Sequence, residues 1–238
     1  MIGIIDTGER IILEKETPAM IARHYCAYKF AEDYIRGKKV LDIGCGEGYG
    51  TYYLSEFAKD ILGLDYDKAV INYAKDKYQK ENLRFEVFDV KKLESFKNSF
   101  DVICAFQFIE HLQNHDEFLM NLNNLLNNDG IFICSTPNKL DASPNSATPL
   151  NKFHMKEFYF DEFKDLLSRY FKRVEMSGLK RGRQLNFYRR LKKIGFFKFF
   201  PNYMNPVKKF YDHIDYSHFE IVKDRLHDSL DFIAVCRK

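Results

Sequence analysis

The chain has 238 residues, 45% of them hydrophobic, enough to bury a full core as one domain or as one domain carrying an insertion, so disorder is not its default. No stretch approaches the roughly 18–20 uninterrupted apolar residues of a membrane span, and the start, MIGIIDTGERIILEKE, carries acids in place of a basic leader, which reads as cytoplasmic. A net charge of +3 is too small to argue for nucleic acid, and the five cysteines lie too far apart for zinc or redox pairs, so they read as buried free thiols.

In chain order, TPAMIARHYCAYKFAEDYIRG repeats apolar residues at three and four positions and stops at Gly37, so residues 1–37 read as an N-terminal helical cap or lid. KKVLDIG, DILGLD, LRFEVFDV, FDVICAFQF and GIFICSTPN are short β-rich runs. Between them YGTYYLSEFA, KAVINYAKDKY and HDEFLMNLNNLLN have helical spacing. Such alternation predicts βαβ units, an α/β fold with a parallel sheet and helices on both faces. Past Pro149, FHMKEFYFDEFKDLLSRYF reads as another amphipathic helix, and FKRVEMSGLK and SLDFIAVCRK as two closing strands, seven in all. The expected organisation is a single domain over 1–238: a core at 38–178, a helical insertion at 180–226 and the final strand at 229–238.

VLDIGCGEGYG, residues 40–50, places Gly44-Cys45-Gly46-Glu47-Gly48 in the turn between the first strand and the next helix. Each glycine removes a Cβ where the chain must bend or meet a ligand. The dinucleotide fingerprint would put its third glycine where Tyr49 stands, which disfavours a nicotinamide enzyme. Asp65, at the tip of DILGLD, is placed to accept hydrogen bonds from both hydroxyls of a ribose. Asp89 ends LRFEVFDV on the same rim of the sheet, within reach of a purine amino group.

Taken together these segments resemble the class I S-adenosylmethionine-dependent methyltransferases, with their Rossmann-like sheet. VLDIGCGEGYG is similar to their first motif, LGLDYD to their ribose-binding segment, Phe88-Asp89-Val90 to their adenine-contacting segment, SFDVICAFQFIEHL to their fourth-strand motif and LLNNDGIFICSTPN to their fifth. The resemblance runs from about residue 20 to 178 and implies S-adenosylmethionine as cofactor and S-adenosylhomocysteine as product. Asp42, Gly44, Cys45, Gly46, Gly48, Asp65, Tyr66, Asp89, Val90, Phe106 and Gln107 would surround it. For Asp42 a purely structural role, pinning the loop, has equal standing. HYCAYKFA, CGEGYGT, FIEHL, STPNK and NKFHMKEF further resemble methyltransferases of bacterial surface-polysaccharide synthesis, which act on sugar hydroxyls. That branch carries Arg-Tyr in the leading helix where this chain has Ala27-Tyr28; Tyr28 stays a candidate acceptor contact.

A sulfonium methyl is already electrophilic, so transfer requires mainly an acceptor atom held in line about 3–3.5 Å away. An aliphatic hydroxyl is a poor nucleophile and gains about 10²–10⁴ from a placed base. His111 in FIEHL and His154 in NKFHMKEF both belong on the ligand-facing edge, and either is a candidate base. AFQFIEHLQNHDE has no acid at the strand tip of the kind that chelates magnesium in catechol methyltransferases, so no metal is expected. It also lacks the proline-proline-aromatic tetrapeptide of DNA amino-methyltransferases.

From Lys180 to Lys209 there are ten Lys or Arg and no Asp or Glu, interleaved with Phe and Tyr. Three readings stay open: a phosphate subsite for an anionic glycan precursor, with Arg181 and Arg183 as candidate contacts; an RNA surface, the less favoured; or an amphipathic helix on an anionic membrane. A solvated basic face, or one packed on another copy of the chain, is the plain alternative. The function expected is O-methylation of a small polar, anionic acceptor; the alternatives are C- or O-methylation of a quinone-like ring, and a non-catalytic cofactor-binding module or RNA methyltransferase that uses the basic insertion.

Overall fold

The computed structural model describes residues 10–95, 99–195, 201 and 204–238; residues 1–9 of the expected cap and 196–200 and 202–203 of the expected insertion lie outside these. Helix α1 (Pro18–Ile35) starts at Thr17, whose hydroxyl accepts the Met20 N–H at 3.3 Å with Pro18 in the first turn. There follow β1 (Lys39–Ile43), α2 (Tyr49–Leu54), β2 (Asp60–Asp65), α3 (Lys68–Lys77), β3 (Leu83–Val87) and β4 (Phe100–Phe106). The chain continues through α4 (His115–Leu125), β5 (Leu126–Pro137), the short α5 (Lys139–Ala142), α6 (Phe160–Ser168) and β6 (Arg173–Arg181). It ends with α7 (Arg183–Ile194), α8 (Pro206–Asp212), β7 (Phe219–Val222) and β8 (Asp231–Arg237).

One sheet runs in the order β3-β2-β1-β4-β5-β8-β6-β7. Strands β1 to β5 pair in parallel, and β8 runs antiparallel between β5 and β6. Alternate residues of each strand feed opposite cores, as a two-sided sheet requires. Ile103 and Ala105 of β4 face Phe118, Leu122, Phe163 and Leu167 of α4 and α6. Val102, Cys104 and Phe106 face Ala27, Ala31, Ile71 and Ala74 of α1 and α3. All five cysteines are buried and unpaired, as expected, and no helix among the described residues is long and apolar enough to cross a membrane.

Two features differ from the sequence reading. The described sheet has eight strands, not seven: β7 falls within the stretch read as a helical insertion and pairs antiparallel with β6 on the sheet edge. With only four residues, none of them buried, it carries no alternating pattern to read. Leu126 and Asn127, read as the end of the helical run, and Asn128 and Asp129, between it and the strand, instead belong to the start of β5. Leu126 pairs with Phe100 before the register slips, and the extra residues are absorbed as a bulge.

Candidate active site

The carboxyl ends of β1, β2, β3 and β4 open onto a cavity of about 710 Å³, the place where ligands bind in open parallel sheets. Its floor is the loop from β1 to α2. Gly44, Gly46 and Gly48 all have positive φ (+74°, +53° and +83°), but a side chain at each would meet different things. A Cβ on Gly44 would collide with the Phe108 ring, and one on Gly48 would lie 2.7 Å from Phe85 and 2.9 Å from Ala74. Those two let the loop pack onto the protein, and Gly48 does not line the cavity. A Cβ on Gly46 would meet nothing within 4 Å: it would project into open space, so this is where bare main chain is offered to a ligand.

Asp65 stands at the tip of β2, 9% exposed, on the cavity wall. Its Oδ2 accepts the Gly46 N–H at 3.1 Å and its Oδ1 the Asp67 N–H at 3.0 Å, so the acid is locked to the glycine loop. Each carboxylate oxygen keeps a second lone-pair direction for a hydroxyl. Burial pushes the Asp65 pKa up, against the pull of these N–H groups and of Arg10. Asp67 caps α3 and takes Arg10 at 2.6 Å, with the Arg10 guanidinium 5.8 Å from the Tyr66 ring centroid. Tyr66, 57% exposed, and Arg10 form the rim on this side.

Phe88, Asp89 and Val90 line the next part of the wall. Asp89 is exposed and its Oδ1 accepts the Lys91 N–H at 3.0 Å. At the tip of β4, Gln107 holds a left-handed φ of +51°, a strained position for a side-chain-bearing residue. Its N–H donates to the Ser135 carbonyl at 3.0 Å and its amide to the Ser135 hydroxyl at 3.2 Å, which fix it to β5. Asp42 lies behind the loop, fully buried and off the cavity wall; Oδ2 accepts the Thr51 hydroxyl at 2.6 Å and Oδ1 has no partner among the described residues. That bond joins β1 to α2.

Tyr28 lines the cavity but is only 5% exposed, its ring centroid 4.8 Å from that of Phe106 and its ring packed against Gly50. A Cβ on Gly50 would enter that ring. Gly50→Ala is therefore expected to lose about 1–3 kcal/mol of stability by overpacking, despite alanine's better helix propensity, as read from urea unfolding.

The other half of the cavity holds His111, His154 and Glu110. The two rings meet edge to face, centroids 4.9 Å apart. His111 Nδ1 lies 3.0 Å from the Phe153 carbonyl; a carbonyl only accepts, so Nδ1 carries the hydrogen and the lone pair of the neutral ring is on Nε2. His154 Nδ1 donates to Glu157 at 2.8 Å, and Nε2 accepts from the Asn151 amide at 3.0 Å. The amide cannot turn around, because its oxygen takes the Phe153 N–H at 3.0 Å. Glu110, His111 and His154 each place one ligand atom within 4.8 Å of the others, yet both His154 nitrogens are engaged and leave no lone pair for a metal.

Glu110 is fully buried: Oε2 accepts the Thr136 hydroxyl at 2.9 Å, Oε1 has no partner among the described residues, and burial pushes its pKa up to about 8 from 4.5. Between those values the folded protein holds a proton that the unfolded chain has released, so this group makes stability fall as pH rises through that window. Glu110→Gln is expected to raise stability at about pH 8 by about 1–3 kcal/mol while changing it less at about pH 5, read from urea unfolding at both. Asp42, pushed up to about 7 by burial, contributes a slope of the same sign.

His24 also lines the cavity, its pKa held down to about 4 by desolvation, so it is neutral and a weak base. Arg23 beside it is spent on Asp231, at 2.7 and 2.6 Å. Arg181 lies 3.5 Å from Asp141, and neither it nor Arg183 lines the cavity, so the structure does not bring these two expected acceptor contacts to the site. Glu157 and Asn151 are hydrogen-bond partners of His154 that the sequence reading missed, although the His-x-x-Glu spacing in NKFHMKEF signals the first. Arg23 and Asp231 are 208 positions apart, and no local pattern joins them.

The sequence matches a methyltransferase domain family over residues 36–179. It is 36% identical over 163 residues to a "Probable S-adenosylmethionine-dependent methyltransferase" of Mycolicibacterium smegmatis, covering 68% of this chain and 62% of that protein. It is 33% identical over 183 residues to a similarly named Mycobacterium tuberculosis protein, covering 75% and 65%. The chain thus spans just under two thirds of the length of these relatives. Its fold is that of a SAM-dependent methyltransferase from Archaeoglobus fulgidus, TM-score 0.61 at 16% identity over 94% of this chain and 96% of the other. The open main chain at Gly46, the acid at the tip of β2 and the cavity they share fit the adenosine and amino-acid parts of such a cofactor. The chain belongs to the methyltransferase domain family, within the class I S-adenosylmethionine-dependent methyltransferases.

Proposed function

We propose that this protein methylates a hydroxyl oxygen of a small polar acceptor, with His111 as general base. The observation that carries the reading is the His111–His154 pair, set in the same cavity as the Gly46 loop and Asp65. S-adenosylmethionine, when bound, supplies an electrophilic methyl on its sulfonium sulfur. Asp65 and the Gly46 main chain hold its ribose and amino-acid parts, with Asp89 and Val90 toward its base. His111 Nε2 takes the acceptor's proton, and the Phe153 carbonyl steadies the imidazolium that results. His154, braced by Glu157 and Asn151, packs against His111 and keeps its ring aligned.

The runs shared with methyltransferases of surface-polysaccharide synthesis support a sugar hydroxyl, in a precursor of such a glycan. A phosphate on that precursor finds no uncompensated arginine in the cavity's acceptor half, since Arg23 is held by Asp231. A phenolic acceptor is the second reading: a 107-residue segment is 29% identical to a "Ubiquinone biosynthesis O-methyltransferase" of Coxiella burnetii, covering 44% of this chain and 46% of that one. Phenols ionise near pH 10 and need less help from a base. S-adenosylhomocysteine release, measured across sugar, sugar-phosphate and phenol acceptors, decides between them. Turnover with phenols alone, insensitive to His111→Ala, overturns the hydroxyl reading.

A further inference from the structure

Helix α7 is the most cationic element among the described residues. Its twelve residues carry Arg183, Arg189, Arg190, Lys192 and Lys193 and no acid, on a chain whose whole net charge is +3. One face holds it to the body. Leu185, 4% exposed, packs with Ala22 and Ile214, and the Tyr188 ring stacks on Phe210 with centroids 3.9 Å apart. Lys192 lies over Tyr211 at 4.8 Å. The opposite face turns Phe187 and Ile194 outward, seven positions apart and so on one line of the helix. They are 56% and 74% exposed. Arg183 and Arg190 flank that line at helical spacing. The sequence then runs from Gly195 into Phe196-Phe197-Lys198-Phe199-Phe200, four aromatics around a single lysine.

We propose that this face docks on the surface of an anionic bilayer. Phe187 and Ile194 would enter the boundary between headgroups and acyl chains, while Arg183 and Arg190 beside them meet the lipid phosphates. Two other occupants fit less well. RNA would use stacking platforms, but Ile194 has no ring and the Tyr188 ring is already covered by Phe210. A second copy of the chain would set five cations against five. A phosphorylated acceptor is not the purpose of this charge, because none of the five side chains lines the cavity.

The test is flotation of the full-length protein with phosphatidylglycerol-containing phosphatidylcholine vesicles and with pure phosphatidylcholine vesicles. The expected result is partitioning at least tenfold stronger onto the anionic vesicles, weakening as salt is raised. The double variant Phe187→Glu/Ile194→Glu is expected to lose at least tenfold of that binding with S-adenosylhomocysteine affinity unchanged in calorimetry, which shows the fold intact. If that variant fails to fold, Arg183→Gln/Arg190→Gln serves, with a loss of several-fold expected. Equal partitioning onto both vesicle types, no partitioning, or vesicle binding untouched by either variant overturns the proposal. So does binding of a single-stranded RNA in place of vesicles, or a dimer in light scattering that the Phe187/Ile194 variant dissociates.

Discussion

Asp65→Ala is expected to weaken S-adenosylhomocysteine binding by about 10²–10⁴ in titration calorimetry. A hydrogen bond to a charged group contributes about 1.5–3 kcal/mol net, and a carboxylate that accepts from two ribose hydroxyls makes two. Each 1.4 kcal/mol is tenfold, so even the low end gives about a hundredfold. The substitution has a second effect. The same carboxylate holds the Gly46 N–H at 3.1 Å, so its loss also loosens the loop that would cradle the amino-acid tail. Asp65→Asn separates the two: its amide oxygen still accepts the loop N–H, and the expected loss is about tenfold. Because burial raises the Asp65 pKa, cofactor affinity should also fall as acid is added, and that fall should be absent from Asp65→Asn. Unchanged affinity in Asp65→Ala would mean that the ribose is held elsewhere, with exposed Asp89 the next acid on that rim.

What the sequence made legible is what local physics dictates. The glycine loop announces itself because a strand must turn into a helix within five residues, and only glycine accepts the dihedral angles and close approaches there. Asp65 and Asp89 are legible because a parallel sheet puts every strand's carboxyl end on one edge. Gly48 shows the limit of that logic. It obeys the pattern, but its missing Cβ makes room for Phe85, not for a ligand, and spacing alone does not separate the two reasons. Edge strand β7 hides because an exposed four-residue strand buries nothing and so selects no pattern. Arg181 and Arg183 look like acceptor contacts in a basic run, yet the end of β6 carries them away from the cavity and α7 faces outward. Glu110 is the most deeply buried acid on the acceptor side. FIEHL offers no sign of this, since its burial is made by Thr136 of β5 and by the chain returning at Met155.

His111→Ala is expected to lower kcat by about 10²–10⁴ on a hydroxyl acceptor, with the acceptor KM changed only a few-fold. The base acts on a proton that leaves in the transition state, so its removal acts on kcat and not on ground-state binding. His111→Gln should be no better, because an amide that fills the same space still has no basic nitrogen. The wild-type pH–rate profile should rise with pH as the imidazole loses its proton, and the variant should lack that limb. His154→Ala gives the contrast that assigns the role. Its Nε2 lone pair is taken by Asn151 and its Nδ1 hydrogen by Glu157, so its loss should misalign His111 and cost about tenfold while the pH limb survives. Glu157→Gln should resemble His154→Ala, for the carboxylate acts only through that ring. The reverse pattern, a limb that disappears with His154 and survives without His111, would make the Glu157–His154 pair the base. Asn151 would then have to swing off Nε2 when the acceptor enters. Asn151→Ala would in that case speed the reaction or leave it unchanged, whereas in the assignment made here it slows it by releasing the brace on His154.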